Sequence, residues 1–151
     1  MDLAKLDGGW DMAFIDANHQ HPWPTVDTLA LAPHLRGPKI VIHHDLQLYR
    51  RFRTLHGIGP RVLFNEAPDS HRHADIAGGW NIFSLDLTLP APVLQEVAIG
   101  ALSMPWTSRP TLTGTQVARF EAILTENYTP HLLHEFRECR TANRASRPSR
   151  A

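Results

Sequence analysis

Asp16 and His19 follow a short apolar run, Met12-Ala13-Phe14-Ile15, and a second run, Ile40-Val41-Ile42, closes on His43-His44-Asp45. Carboxylate and imidazole are ligands for divalent cations. Two carboxylates brought close together repel unless a cation or a proton lies between them. If the two runs are neighbouring strands, Asp16, His19, His44 and Asp45 converge on one crevice, and the chemistry expected there is that of a metal site.

The elements that must position them can be read from the same stretch. Trp10 to Ile15 reads as a first strand and Ile40 to Ile42 as a second. The segment between them is amphipathic, with Thr25 as N-cap and a helix to about Leu35 whose apolar face includes Val26, Leu29 and Ala30. Gly37-Pro38 ends it. Short, continuously apolar strands joined by a helix indicate a parallel βαβ unit, and ligands in such sheets bind at the carboxyl ends of strands. Further on, Leu46 to Leu55 has helical spacing, Arg61 to Asn65 reads as a third strand, Asp69 to Gly79 as a loop or short helix, and Asn81 to Leu87 as a fourth strand. Helices are expected over Val93–Leu102 and Thr115–Arg140, with residues 146–151 as a disordered tail.

Composition narrows the class. The chain has 151 residues, 42% hydrophobic and 20% charged, with a formal net charge of zero. That charge argues against a general nucleic-acid binder. No apolar run approaches the roughly 20 residues of a membrane span, and the start lacks a secretory signal, so a cytoplasmic protein without a membrane partner is expected. The single Cys139 leaves no intramolecular disulfide and no cysteine-based zinc cluster. Lysine occurs only at Lys5 and Lys39, and the arginine-rich composition suggests a GC-rich bacterial genome.

The stretches Asp11-Met12-Ala13-Phe14-Ile15-Asp16-Ala17-Asn18-His19 and Val41-Ile42-His43-His44-Asp45 resemble the fourth and fifth strands of class I S-adenosylmethionine-dependent methyltransferases. Within that fold they are similar to the branch holding macrocin-type sugar O-methyltransferases and the so-called cephalosporin hydroxylases. The resemblance covers roughly Trp10 to Leu89. It implies an α/β fold, a partial Rossmann-like methyltransferase fold comprising the fourth to seventh strands, with C-terminal helices. Residues 1–90 would be the C-terminal half of the methyltransferase domain and 91–145 a helical extension. It also implies a divalent cation, usually magnesium, on Asp16 and Asp45, with His19 as general base. His44 stands where the branch often carries glutamate, and as a ligand it would suit softer ions better than magnesium. The expected strand order is first, second, fourth, third, with the first two parallel and the fourth antiparallel to its neighbours.

The glycine-rich loop that holds S-adenosylmethionine in this family has no counterpart here: Gly8-Gly9 precedes the fourth-strand equivalent and opens no helix. The expected function is therefore that of an O-methyltransferase half, acting on a hydroxylated small molecule such as a sugar. The alternative is a non-catalytic half-domain acting through oligomerisation or a partner chain. A metal-dependent hydrolase would need a second set of carboxylates. The far side of Trp10–Ile15 would be a bare apolar edge, which favours a homo-oligomer or a partner chain there. His21 and Trp23 form either an aromatic platform or a packed loop. His71, His73, His131, His134 and Arg50, Arg51 and Arg53 read as surface, Trp80 and Trp106 as core.

Overall fold

The computed structural model describes residues 9–52, 55–75, 81–107 and 114–145. Four strands form one mixed sheet in the order β1-β2-β4-β3: β1 (Trp10–Ile15), β2 (Leu35–His43), β3 (Arg72–Asp75) and β4 (Ile82–Asp86). β1 and β2 are parallel; β4 is antiparallel to both β2 and β3. Six helices accompany the sheet among the described residues: α1 (Trp23–Leu31), α2 (Leu48–Phe52), α3 (Gly59–Glu66), α4 (Ala91–Ser103), α5 (Gly114–Asn127) and α6 (Pro130–Ala145). The protein is thus an α/β fold. Among the described residues no helix is long and apolar enough to cross a membrane.

The register divides the side chains between two faces. Ala13, Ile15, Val41, His43, Phe83 and Leu85 share one face, and Leu63, Ala67 and Val97 pack against it from α3, its C-terminal end and α4. A second core lies beyond this layer, where Val26 and Leu29 of α1 and Ala98 and Leu102 of α4 meet Phe120, Leu124, Leu132 and Phe136 of α5 and α6. Helix α1 is consequently buried on two sides, which is why its sequence, with Pro24, Thr25, Val26, Thr28 and Leu29 all buried, carries little amphipathic contrast.

Several elements differ from the sequence expectation. Arg61–Asn65 is not a strand but lies within α3. A short apolar run cannot by periodicity be told from a buried helix segment. Here Pro60, near the helix start, presets a helical φ, and Val62 and Leu63 are buried between α1 and α4. The third strand is instead Arg72–Asp75, inside the stretch expected to be a loop or short helix. It has no apolar alternation to announce it. Arg72 fixes its start by donating to the carbonyls of Phe64 (2.6 Å) and Asn65 (3.0 Å), capping α3, while pairing with Asp69 and lying 4.6 Å from the Phe64 ring centroid. The expected strand order and directions hold with this strand as the third.

α1 begins at Trp23 rather than Thr25, with Pro22 at the N-cap, and passes into a 3-10 turn, Ala32–His34, so that Leu35 opens β2. β2 therefore starts before Gly37-Pro38. The chain bulges there: Trp10 pairs with Leu35 but Met12 with Ile40. Gly37 has φ +63°, a left-handed conformation that favours glycine. The expected single helix Thr115–Arg140 is two, α5 and α6, broken before Pro130. Trp80, Arg53 and the 146–151 tail lie outside the described residues.

Candidate metal centre

Parallel pairing carries on past the strand ends, with the His44 amide donating to the Ile15 carbonyl at 3.1 Å. That bond sets the residues after β1 beside those after β2. Asp16, His19, His44 and Asp45 each offer a ligand atom there, and these atoms all lie within 4.8 Å of one another. His19 Nε2 stands 3.5 Å from Asp16 Oδ1 and 3.2 Å from Asp45 Oδ2. His44 Nδ1 stands 3.7 Å from Asp16 Oδ1 and 3.2 Å from Asp45 Oδ1.

Each side chain is aimed by identifiable backbone. Asp45 has φ +63°, a left-handed conformation that aspartate tolerates better than most residues, and this turns the chain sharply out of the sheet. Asn81, with φ +51°, secures that turn. Its carbonyl accepts from Leu46 N (3.0 Å), its Oδ1 accepts from Gln47 N (2.6 Å) and its Nδ2 donates to Asp45 Oδ1 (3.2 Å). His19 is held by its own backbone: its carbonyl accepts from Gly59 N at 2.9 Å, and a Cβ at Gly59 would lie 2.7 Å from that oxygen. The adjacent Gln20 amide bonds Asn18 Oδ1, and the Gln20 side chain contacts His56 Nδ1 at 2.6 Å.

The two histidines of the β2 end divide between the faces, as strand alternation requires. His44 turns to the crevice. His43 is buried on the covered face, stacked on Phe83 at 5.0 Å between centroids. Thr28 Oγ1 spends its only proton on the Pro24 carbonyl (2.8 Å), so it accepts from His43 Nε2 (2.8 Å), which fixes the tautomer. Burial, reinforced by the nearby His19, lowers the His43 pKa to about 3, so this ring is neutral.

The cluster carries the mark of a ligand site. His19 Nε2 and His44 Nδ1 are both shut off from solvent, and neither makes a hydrogen bond despite the carboxylates close by. Buried polar atoms are rarely left so. A cation held by Asp16, Asp45 and His44 would satisfy His44 Nδ1 and relieve the repulsion of the carboxylates, with His19 Nε2 left at its rim for a group bound to the ion. The residues present therefore fit a divalent ion.

Other candidates fall elsewhere. His21 is fully buried, its amide donating to Thr107 Oγ1 at 3.0 Å; burial lowers its pKa to about 4, partly opposed by the carbonyls of Met104 and Ala101. Trp23 packs against the helical core, so the His21–Trp23 loop is packed rather than an open platform. Trp106 also joins that core. His73, His131, His134 and Arg50 are exposed and His71 partly so, all outside the cluster.

Sequence reasoning missed Asn81, which it placed merely at the start of a strand. Its signal was an asparagine just after Gly78-Gly79-Trp80, a residue type suited to a left-handed turn. It also missed the clefts. One of about 470 Å³ opens beside His19, Gln20 and His56, and a neighbouring apolar cleft of about 640 Å³, which shares His56, is lined by Leu55, Ile58, Met104 and Trp106. Comparison with protein-family models, with curated proteins and with solved structures returns no match.

Proposed function

We propose that this chain is the acceptor-activating half of a metal-dependent O-methyltransferase, with S-adenosylmethionine as donor and a hydroxylated small molecule such as a sugar as acceptor. The observation that carries the reading is the convergence of Asp16, Asp45, His44 and His19 at the carboxyl ends of two parallel strands. The order β1-β2-β4-β3, with β4 reversed, supports it, since it is the order expected of the last four strands of such a methyltransferase.

In this reading Asp16, Asp45 and His44 hold the ion. A divalent cation there would bind adjacent hydroxyls and lower their pKa. His19, with Nε2 within 3.5 Å of both carboxylates, accepts the proton of the acceptor hydroxyl, and Asp45 and Asp16 stabilise the imidazolium that results. The cleft beside His19 admits the acceptor, and the apolar cleft next to it takes any hydrophobic part of the same molecule. The donor is a different matter. The described residues offer no Gly-rich turn between a strand and a helix, so they do not fit S-adenosylmethionine, and its site is assigned to another segment or another chain.

The test uses catechol as a vicinal-diol probe, because its ionisation is followed by absorbance. With a divalent ion present, the chain should lower the catechol pKa. Asp16→Asn should abolish the effect, and His19→Ala, at ion concentrations that saturate it, should still slow or weaken ionisation. S-adenosylmethionine alone should bind negligibly. Micromolar binding of that donor by the isolated chain would overturn the half-enzyme assignment, and no catechol shift with any ion would remove acceptor activation.

A second reading, a non-catalytic half-domain that works through association, is favoured by one observation: Met12 and Phe14 of the edge strand are 56% and 59% exposed. The two readings are compatible if the partner on that edge supplies the donor site.

A further inference from the structure

We infer that the ion selected by this centre is a transition-metal divalent ion of the cobalt or zinc class rather than magnesium, and that His44 is the residue that selects it. The inference rests on the metal-site reading above and concerns only which ion the site takes.

The first argument is the donor set. Magnesium demands near-octahedral oxygen coordination and gives up its water reluctantly, and calcium takes six to eight oxygens. Here the crevice offers carboxylate oxygens and imidazole nitrogen side by side. Imidazole suits zinc, copper, iron and nickel, whereas carboxylate and water suit magnesium, calcium and manganese.

The second argument is the state of His44 itself. Its Nδ1 is inaccessible to solvent and makes no hydrogen bond, yet two carboxylates stand 3.2 Å and 3.7 Å away. A histidine placed there only to neutralise the aspartates would donate to one of them. The Phe14 ring lies 6.5 Å from the His44 ring, an apolar neighbour that offers no alternative partner.

The third argument is dimensional. A tetrahedral ion with bonds of about 2.0–2.1 Å separates its donors by about 3.3 Å. The contacts of His44 Nδ1 with Asp16 and Asp45 bracket that value. An ion on these three side chains would have His19 beside it, and His19 lines the adjoining cleft through which an acceptor hydroxyl would enter.

The test strips the full chain with chelator and titrates magnesium, cobalt and zinc by calorimetry, with the visible absorption of cobalt as an independent report of nitrogen ligation. The expected result is cobalt and zinc binding at least about 100-fold tighter than magnesium. His44→Asp should shrink that ratio to about tenfold or less and shift the cobalt spectrum. Asp16→Asn should weaken every ion, and His19→Ala should weaken all ions alike, by about tenfold, while leaving the cobalt-to-magnesium ratio unchanged. Thermal melts of each variant check folding; because His44 is partly exposed, His44→Gln provides a second way to remove the nitrogen ligand. Magnesium binding the wild type within tenfold of cobalt would overturn this inference and leave the metal site standing. No binding of any ion would overturn both.

Discussion

The two faces of one sheet differ sharply although the same strands build both. On one face Ile15, Val41, His43, Phe83 and Leu85 are buried beneath helices. On the other, Met12 and Phe14 are exposed, Ile40, Ile42 and Ile82 are only half-buried, and none of the strand residues is buried. Parallel strands occur almost always with both faces covered. The β1–β2 pair keeps the apolar sequence of a doubly covered strand, but among the described residues it has cover on one side. The Asp16–His19–His44–Asp45 cluster sits where the two faces meet, at the strand ends, so its geometry depends on the covered face and its access on the open one.

The largest effect should come from truncating the covered face. Phe83 lies between His43, stacked on it, and Phe64, edge-on at 5.4 Å. Phe83→Ala should cost about 3–5 kcal/mol in denaturant unfolding, the cost of a large cavity in a close-packed site. Phe14→Ala, on the open face of the neighbouring pair, should change stability by about 0.5 kcal/mol or less. Similar losses at both positions would dissolve the distinction between the faces.

Next in size is a pH effect at the border between the faces. Asp27 of α1 lines an open cleft of about 410 Å³ with Phe14 and Ile15, and burial raises its pKa to about 6. A carboxyl group whose pKa is raised in the folded state binds its proton more tightly there than when unfolded. Its contribution is fully present below about pH 4 and is lost as pH rises through about 6. At neutral pH the ionised Asp27 therefore destabilises the fold, by up to about 3 kcal/mol. Asp27→Asn should be more stable than wild type at pH 7, with the difference vanishing near pH 3.5. A difference independent of pH would show that Asp27 is as well solvated as an open-face residue.

A smaller effect is expected from Asn81, which ties the turn at Asp45 to β4. Asn81→Ala removes the bonds to Asp45 Oδ1 and Gln47 N and places alanine at φ +51°. Ion affinity should fall about tenfold while the sheet still folds, as for other groups that orient a ligand. Calorimetry with cobalt reads the affinity. Unchanged affinity would mean that β4 does not organise the centre.

These contrasts also mark how far the sequence could be read. The strands β1, β2 and β4, their order and the convergence of Asp16, His19, His44 and Asp45 were all legible, because apolar runs ending on polar ligands are local signals. Strand alternation lets only one of His43 and His44 face the crevice, and adjacency to Asp45 points to His44. By contrast, Arg61–Asn65 and Arg72–Asp75 exchanged roles. An apolar run of three is ambiguous by itself, and β3 is specified by antiparallel pairing with the next strand, β4, and by Arg72 capping α3, neither of which leaves a periodic trace. Asn81 was hidden because its partner Asp45 is 36 residues away.

The smallest change in stability, and the most direct probe of the open face, belongs to Phe14→Ser. Among the described residues β1 has a hydrogen-bonded neighbour on one side only, and Met12 and Phe14 project from the exposed face beside that edge. Unpaired strand edges recruit other strands, and exposed apolar groups on the same strand add a driving force for contact. Wild-type protein should therefore associate, with a second copy or with a partner, through β1. Removing the Phe14 ring deletes apolar contact without touching the covered core, so unfolding should shift by about 0.5 kcal/mol or less. Association measured by light scattering over a concentration series should weaken markedly. Phe14 also neighbours His44, so the same variant tests whether the open face tunes the proposed metal site, with cobalt affinity as the second readout. A wild-type chain that stays monomeric at high concentration would leave the open face without an occupant and remove the argument for association through β1.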